Sequence, residues 1–361
     1  MLTRPWCRSI DEEAWLARLA AYGLPGAPPI DGLPEDASDL LFHTARHKLI
    51  GMLAAAVAEG GVTLEDDGIA QVARAHEGAM RESLLLEEVL LEALTVLDEA
   101  GIDHRVLKGS ALAHTVHPDP VERSYGDNDI LLDLGDVDRG VAALIEAGAV
   151  RPMPPLSPTF DRGFAKSVTL CWHGPSELDI HRTLAAGPYG HTIRLADLTR
   201  DPVEFALAGR MIRTLPPDLH LLHGAIHVAL GDVEARLGNV GDLALLAAHP
   251  EVDLDTVAAA QEWQCAAPVA VGLRTTAELG HDRTPLEDWA HEYEVSSLDR
   301  RRLAAYADRD GRFRRQARAS RRVLSWRDRV AFSRALLVPS RANRAARDRS
   351  QPMSLRGRQP D

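Results

Sequence analysis

The spacing of hydrophobic positions changes near residue 101, and the change separates a helical part of the chain from a mixed part. Residues 39–59 are rich in Ala and Leu, and residues 78–100 carry leucines and valines every three or four positions. That spacing places apolar side chains on one face of a helix. Gly101 ends the second stretch, and a Pro- and Gly-rich loop covers residues 23–34. We therefore predict an N-terminal helical region over residues 1–100.

Short alternating apolar runs follow residue 101 and predict β-strands. The runs are His104–Leu107, 129–134, Ser167–Trp172 and 177–182. A helix is predicted between them at 136–146, with Asp136 as its N-cap and Gly148 beyond its end. Together these elements predict an α+β fold, in which a small mixed β-sheet core over residues 101–200 is flanked by N- and C-terminal helical regions.

Helical spacing returns from about residue 197 and continues through residues 219–230, 240–248 and 254–279. We predict a C-terminal helical region over residues 201–312. Residues 313–361 are expected to form an Arg-rich helix that gives way to a disordered tail after Pro339.

Composition narrows the class of protein. A chain of 361 residues with 45% hydrophobic content can bury a core in more than one module. No run approaches the roughly 18 to 20 apolar residues that span a bilayer, and residues 1–10 lack the apolar centre of a signal peptide. We therefore expect a cytoplasmic protein without a membrane partner. Cys7, Cys171 and Cys265 are few and far apart, which favours reduced thiols over disulfides or a zinc site.

The net charge of -12 is unevenly distributed. Residues 301–361 hold 18 arginines against five aspartates, so they carry +13 and the other 300 residues carry -25. An acidic body lacks the clustered cations that neutralise a phosphate backbone, so we do not expect nucleic acid as a partner. Lysine is rare: Lys48, Lys108 and Lys166 are the three lysines among 41 basic residues.

The first chemical motif is the segment Val-Leu-Lys-Gly-Ser-Ala-Leu-Ala over residues 106–113, in which a predicted strand runs into Lys108, Gly109 and Ser110. A glycine lets the backbone approach a ligand closely, and free N–H groups at the following helix start can hold phosphate oxygens. The motif therefore predicts phosphate contacts. Its alternative interpretation is an ordinary helix cap with a solvated lysine.

The second motif contains Arg123, Asp127 and Asp129. Two aspartates two positions apart on a strand point to one face and can share a divalent cation, and carboxylate oxygens suit Mg²⁺ or Mn²⁺. The opposite face is apolar and would pack on helices, and it consists of Ile130, Leu132 and Leu134. Gly-Asp-Asn-Asp also suits a turn, which is the alternative interpretation. Arg123 would either clamp a phosphate or pair with a structural acid.

The third motif supplies another carboxylate, because Glu177, Asp179 and His181 share one face of a predicted strand. We predict Asp179 as a metal ligand and general base, with Glu177 as the less favoured candidate. His181 is interpreted as a core or supporting histidine outside the metal set. His223 and His227, with Asp242 further along, have a spacing that could bind a metal but are interpreted as packing or substrate-pocket residues.

In this order, the three motifs resemble the DNA polymerase beta-like nucleotidyltransferases, and more closely the bacterial branch called nucleotidyltransferase family 5. The resemblance runs from about Asp39 to Arg347. It implies an NTP donor with Mg²⁺ and metal ligation by Asp127, Asp129 and Asp179. Asn128 departs from the pattern, because an apolar residue is usual between the two aspartates.

The motifs and the resemblance together predict a metal-dependent nucleotidyltransferase. It would move a nucleoside monophosphate from an NTP to a hydroxyl or phosphate of an unidentified small molecule or peptide, such as one in natural-product biosynthesis. The departure at Asn128 motivates the alternative, a catalytically weak nucleotidyltransferase-like module that binds a peptide or protein partner. A toxin–antitoxin or aminoglycoside-modifying reaction on the same fold is a further alternative, and the acidic body would favour a cationic acceptor.

Overall fold

A computed structural model describes residues 10–30, 32–33, 39–231, 235–307, 310–338 and 340–344, with the side chain of Ile10 left out. Cys7 and residues 345–361 lie outside the described residues, and so does most of the tail predicted after Pro339. Among the described residues, none of the helices combines the length and the apolar character needed to cross a membrane.

The N-terminal region is helical, as predicted. Its helices are α1 (Ile10–Ala20), α2 (Leu40–Arg46), α3 (Ile50–Ala58) and α4 (Asp66–Glu99). The helix predicted over residues 39–59 is two helices, because Lys48 has a φ of 62° that an α-helix cannot contain. Helix α4 begins 12 residues before the predicted start at residue 78.

The centre of the molecule is a six-stranded mixed sheet with strand order β3-β4-β2-β1-β6-β5. The strands are β1 (His104–Leu107), β2 (Asn128–Leu132), β3 (Ser167–Trp172), β4 (Ser176–His181), β5 (Val203–Leu207) and β6 (Arg210–Thr214). Strand β2 is parallel to β4 and antiparallel to β1. Because β2 ends at Leu132, Leu134 is not on the packed face as predicted and is 45% exposed.

Four helices accompany these strands: α5 (Gly109–Thr115), α6 (Val137–Glu146), α7 (Pro158–Gly163) and α8 (Gly187–Gly190). Asp136 precedes α6 as predicted, but its side chain makes no capping hydrogen bond and pairs with Arg139 instead.

Strands β5 and β6 correct the prediction of helix from about residue 197. They form an antiparallel hairpin, and β6 adds to the sheet in parallel with β1. Ala208 and Gly209 both have positive φ, which is the backbone of a tight hairpin turn. The alternation of polar and apolar residues in 203–207 and 210–214 was the available signal, since only alternate side chains of these two strands are buried. The domain boundary at residue 200 stays a prediction.

The C-terminal region after the hairpin is helical. Its helices are α9 (Pro217–Leu230), α10 (Leu237–Ala247), α11 (Thr256–Glu262), α12 (Ala266–Arg274), α13 (Pro285–Glu292), α14 (Ser297–Leu303), α15 (Arg312–Val323) and α16 (Trp326–Leu337). The helix predicted over residues 254–279 is interrupted at Gln264, where φ is 54°, and it ends in a 3-10 turn, Thr275–Leu279.

Each face of the sheet packs against a different set of helices. Val106, Ile130 and Ile180 join α4 and α6 in one hydrophobic cluster, while Leu107 and Leu131 join the C-terminal helices in another. The α+β class predicted from the sequence is therefore confirmed. The second face also carries the polar side chains described next, so the C-terminal helices cover the site.

Candidate functional site

Three side chains on neighbouring strands form an acidic cluster. Asp129 on β2 is the register partner of Asp179 on β4, so the two carboxylates lie on the same face of the sheet. His181, two residues after Asp179, lies on that face as well. One ligand atom from each of the three residues lies within 4.8 Å of the other two. Two carboxylates and an imidazole at this separation can hold a divalent cation.

Asp129 is 2% exposed and is held as a carboxylate by two partners. Lys108 Nζ lies 2.9 Å from Oδ2, and His181 Nε2 lies 2.6 Å from Oδ1. Burial opposes ionisation, but these partners outweigh it and hold the pKa of Asp129 well below its usual range. Burial likewise opposes the charge on Lys108, and the carboxylates of Asp129 and Asp127 outweigh it and raise the pKa of Lys108. The site therefore contains a buried ion pair.

His181 is more central than its predicted supporting role. It is fully buried, and burial, followed by repulsion from Lys166, lowers its pKa, so the imidazole is neutral near pH 7. Its Nδ1 lies 3.2 Å from the carbonyl oxygen of Thr183. In the structure, the neutral ring donates its Nε2–H to Asp129. With the proton on Nδ1 instead, donated to the Thr183 carbonyl oxygen, the Nε2 lone pair would be free to bind a divalent ion, which is the usual arrangement of a metal-binding histidine. Its inclusion in the ligand-atom cluster differs from the predicted metal set.

Asp127 lies outside that cluster, at the wall of an adjoining cleft of about 200 Å³. It precedes β2 and is partly exposed, whereas Asp129 is buried in the strand. Four cationic residues line the same cleft: Lys48, Lys108, Arg123 and Arg236. Among the described residues that line the cleft, Asp127 is the only carboxylate. The excess of positive charge suits a polyanion. Ligation of a metal by Asp127 stays a prediction.

The turn between β1 and α5 has the backbone that its sequence indicates. Lys108 and Gly109 have φ values of 41° and 38°, a region in which glycine is favoured and a lysine is strained. A Cβ on Gly109 would lie 3.4 Å from the carbonyl oxygen of Asp127, so the two chemical motifs meet closely here. Ser110 is buried, and within the described chain its Oγ has no hydrogen-bond partner. A contact between Ser110 and a phosphate stays a prediction.

Arg123 makes the structural pair that was one of its two predicted roles. Its Nε and Nη2 atoms donate to the carboxylate of Asp242 on α10 at 2.7 to 3.1 Å, and its Nη1 donates to the carbonyl oxygen of Gly109 at 2.8 Å. Both side chains are less than 10% exposed. Burial opposes ionisation of Asp242, but Arg123 and His117 outweigh it and hold its pKa well below the usual range. This pair ties the Lys108–Gly109 turn to the C-terminal helices.

His223 and His227 lie over the cluster but do not join Asp242. The ring centroid of His223 lies 6.3 Å from that of His181, and His227 lines the cationic cleft. Because Asp242 pairs with Arg123 and His117, the metal group that the spacing of His223, His227 and Asp242 left open does not form among the described residues. Burial lowers the pKa of both histidines well below the usual range, so they are neutral.

The three lysines of the chain converge on this site. The motifs indicated only Lys108, and they did not reveal Lys48 or Lys166. Lys48 lines the cleft next to Lys108. Lys166, before β3, has its pKa lowered by burial and then by the charge of Lys108, against the attraction of Asp129. The scarcity of lysine was the signal in the sequence. Lys48 and Lys166 are therefore additional candidates for phosphate or acceptor contacts.

Lys48 provides a pH-dependent prediction. Burial lowers its pKa from 10.5 to about 8. Between pH 8 and 10.5 the unfolded chain therefore binds more protons at this residue, and the free energy of unfolding rises with pH by up to about 3 kcal/mol. Lys48→Met should lack this rise. Urea unfolding of both proteins at pH 7.5 and 10 measures it, and equal changes in the two would contradict the assignment.

Two further predicted residues have different surroundings. Glu177, the less favoured catalytic candidate, is exposed and lies outside the acidic cluster. Asn128 is 2% exposed, and its Nδ2 donates to the carbonyl oxygen of Leu86 on α4 at 2.8 Å. The departure at Asn128 therefore joins β2 to α4 on the face away from Asp129, and it does not alter the carboxylate cluster.

A comparison with known protein families supports the resemblance inferred from the motifs. The model of a family described as uncharacterised nucleotidyltransferase matches residues 34–281. No curated protein matches the chain. Among solved structures, an antigenic nucleotidyltransferase-like protein from Paracoccidioides brasiliensis matches with 15% identity and a TM-score of 0.34, covering 55% of this chain and 94% of that one.

Proposed function

The chain belongs to the uncharacterised nucleotidyltransferase family, and on that premise we propose that it transfers a nucleoside monophosphate from an NTP to a hydroxyl or phosphate of a small-molecule or peptide acceptor. Mg²⁺ or Mn²⁺ would be the cofactor.

The observation that supports the proposal most directly is that Lys108 belongs to both parts of the site. Its side chain lines the cationic cleft, and its Nζ pairs with Asp129 in the acidic cluster. A triphosphate requires cations along its oxygens and carboxylates for the divalent ion that those oxygens share. The cleft and the cluster meet these two requirements side by side.

The acidic cluster fits a divalent ion by its chemistry. Asp129 and Asp179 offer hard oxygen atoms, His181 offers a neutral nitrogen, and Asp127 would add an oxygen from the side of the cleft. A bound ion would neutralise charge on the triphosphate and lower the pKa of an acceptor hydroxyl. Lys108 would then move its contact from Asp129 to a phosphate, and Lys48 and Arg236 would hold the remaining oxygens.

Asp179 is the proposed base. The hydroxyl of Thr169 on the neighbouring strand donates to its Oδ1 and thereby orients the carboxylate. The acceptor oxygen would attack the α-phosphorus, and its proton would pass to Asp179. The bond between that phosphorus and the oxygen bridging to the β-phosphate would break, and pyrophosphate would leave with this oxygen. Arg123 would act as a positioning residue, because it holds the Gly109 carbonyl while bound to Asp242.

The test is an incubation with each NTP and Mg²⁺, with a cell lysate as the source of acceptors. Pyrophosphate release and a nucleotide-sized mass increase on an acceptor are expected, and Asp127→Ala should abolish both while the fold is kept. Asp133→Ala is the matched control, since Asp133 is an exposed aspartate just after β2. Full turnover by Asp127→Ala would overturn the assignment, and nucleotide binding that is independent of Mg²⁺ would favour the binding-module alternative.

A further inference from the structure

A second cavity, of about 190 Å³, lies at the edge strand β3 beside the acidic cluster. Five rings surround it: Phe160, Phe164, Phe313, Phe332 and His191. Each ring centroid lies within about 6 Å of at least one other. Four of the six phenylalanines in the chain are therefore gathered at one place, in a protein with only 5% aromatic residues. We refer to these five rings as the aromatic cage.

The aromatic cage adjoins the candidate active site along β3. Ser167 lines the cage and is the register partner of His181. Thr169 lies two residues after Ser167 on the same face of β3, and it donates a hydrogen bond to Asp179. A two-residue step along a strand is about 6 to 7 Å. A hydroxyl attached to a ring in the cage would have to extend about that far along β3 to reach Asp179.

The size and charge of the cage restrict what it can hold. An apolar cavity of about 150 Å³ binds a benzene molecule, so about 190 Å³ suits one aromatic ring with a small substituent. Among the described lining residues, Lys166 is the only one with a charged side chain. His191 is neutral, because burial lowers its pKa to about 4. Phenylalanine rings attract organic cations, but the Lys166 ammonium at the wall opposes that attraction, and no carboxylate of the described lining offsets it. The cage therefore favours a neutral or anionic ring.

We infer that the aromatic cage is the acceptor subsite, and that it binds a neutral or anionic aromatic ring whose attached hydroxyl reaches Asp179. The inference rests on the proposed function, because a subsite for an acceptor presupposes nucleotidyl transfer. It names the class of acceptor that the proposed function leaves open. The ring belongs either to a free aromatic alcohol or to an aromatic residue beside a serine in a peptide. Both sources share the ring and the nearby hydroxyl, and the experiment separates them.

The test measures binding of two probes, 2-phenylethanol and the peptide acetyl-Ser-Phe-amide, by saturation-transfer NMR on the full chain. Both ring resonances should show transfer, and the probe with the tighter binding identifies the source. Phe313→Ala should weaken binding of that probe about threefold to tenfold, the range expected for loss of one aromatic contact. Phe313 is 50% exposed, so its removal should leave the fold intact.

Phe42→Ala is the matched control, because Phe42 is 61% exposed on α2 and lies outside the cage. Ala317→Leu, which fills the cage from α15, is a second and independent variant that should also weaken binding. Equal binding by wild type, Phe313→Ala and Ala317→Leu would overturn the inference, and so would an equal loss in Phe42→Ala. Failure of the proposed function is distinguishable, because it would appear as loss of Mg²⁺-dependent NTP turnover while ring binding at the cage persists.

Discussion

Asp129→Asn is expected to reduce nucleotidyl transfer about 10³-fold or more. The substitution removes the charge of a carboxylate that the site places between Lys108 and His181 and beside Asp179. A divalent ion supplies several kcal/mol of charge stabilisation in phosphoryl transfer, and about 1.4 kcal/mol corresponds to tenfold in rate. Pyrophosphate release at saturating NTP and Mg²⁺, compared with wild type, measures the loss.

The same substitution should also destabilise the fold, because Lys108 would be left buried without its anionic partner. The double variant Lys108→Met/Asp129→Asn separates the two effects. It removes both charges, so the free energy of unfolding should recover towards the wild-type value while turnover stays low. Recovery of turnover in the double variant would show that Asp129 only compensates Lys108, and it would remove Asp129 from the metal set.

Local sequence patterns singled out both carboxylates of the acidic cluster, together with Asp127, which lies outside it. Alternation along a strand has a period of two, so it assigned Asp129 to one face of β2 and Asp179 to one face of β4. The register that brings them side by side is a tertiary feature, as is the position of His181 at their side. The histidine had the correct face in the sequence, but only its neighbours determine whether it supports the ligands or joins them.

The errors in the fold have local causes. The hairpin Val203–Leu207 and Arg210–Thr214 has the alternation of a half-buried strand, but the helical spacing of the sequence that follows favours a prediction of helix. Lys48 and Gln264 break helices through positive φ, although neither is a glycine or a proline. These residues have no strong intrinsic preference for such a backbone, and the packing around them selects it. Four strands, by contrast, were located within two residues.

The role of Arg123 could not be decided from the sequence, because its partner is 119 residues away. A guanidinium binds a phosphate and a carboxylate with the same fork of donors, so both roles predict the same residue type. Asp242 appeared in the sequence only as a possible companion of His223 and His227. The fold brings it instead to Arg123, where it joins α10 to the turn that carries Lys108 and Gly109.

Asp242→Ala is expected to lower the free energy of unfolding by about 3–5 kcal/mol, since removal of one partner leaves the other charge buried and unpaired. Urea unfolding with a two-state fit measures the change. Asp288→Ala is the matched control, because its ion pair with Arg283 is half exposed and should contribute at most about 1 kcal/mol.

The Arg123–Asp242 pair should also affect the site through the Gly109 carbonyl that Arg123 holds. Arg123→Leu/Asp242→Leu removes both charges and replaces them with apolar groups, so much of the lost stability should return. The KM for NTP should nevertheless be higher than in the wild type, because the Lys108–Gly109 turn has lost its hydrogen bond to Arg123. A double variant with wild-type stability and wild-type KM would restrict the pair to a purely structural role, with no part in positioning the turn.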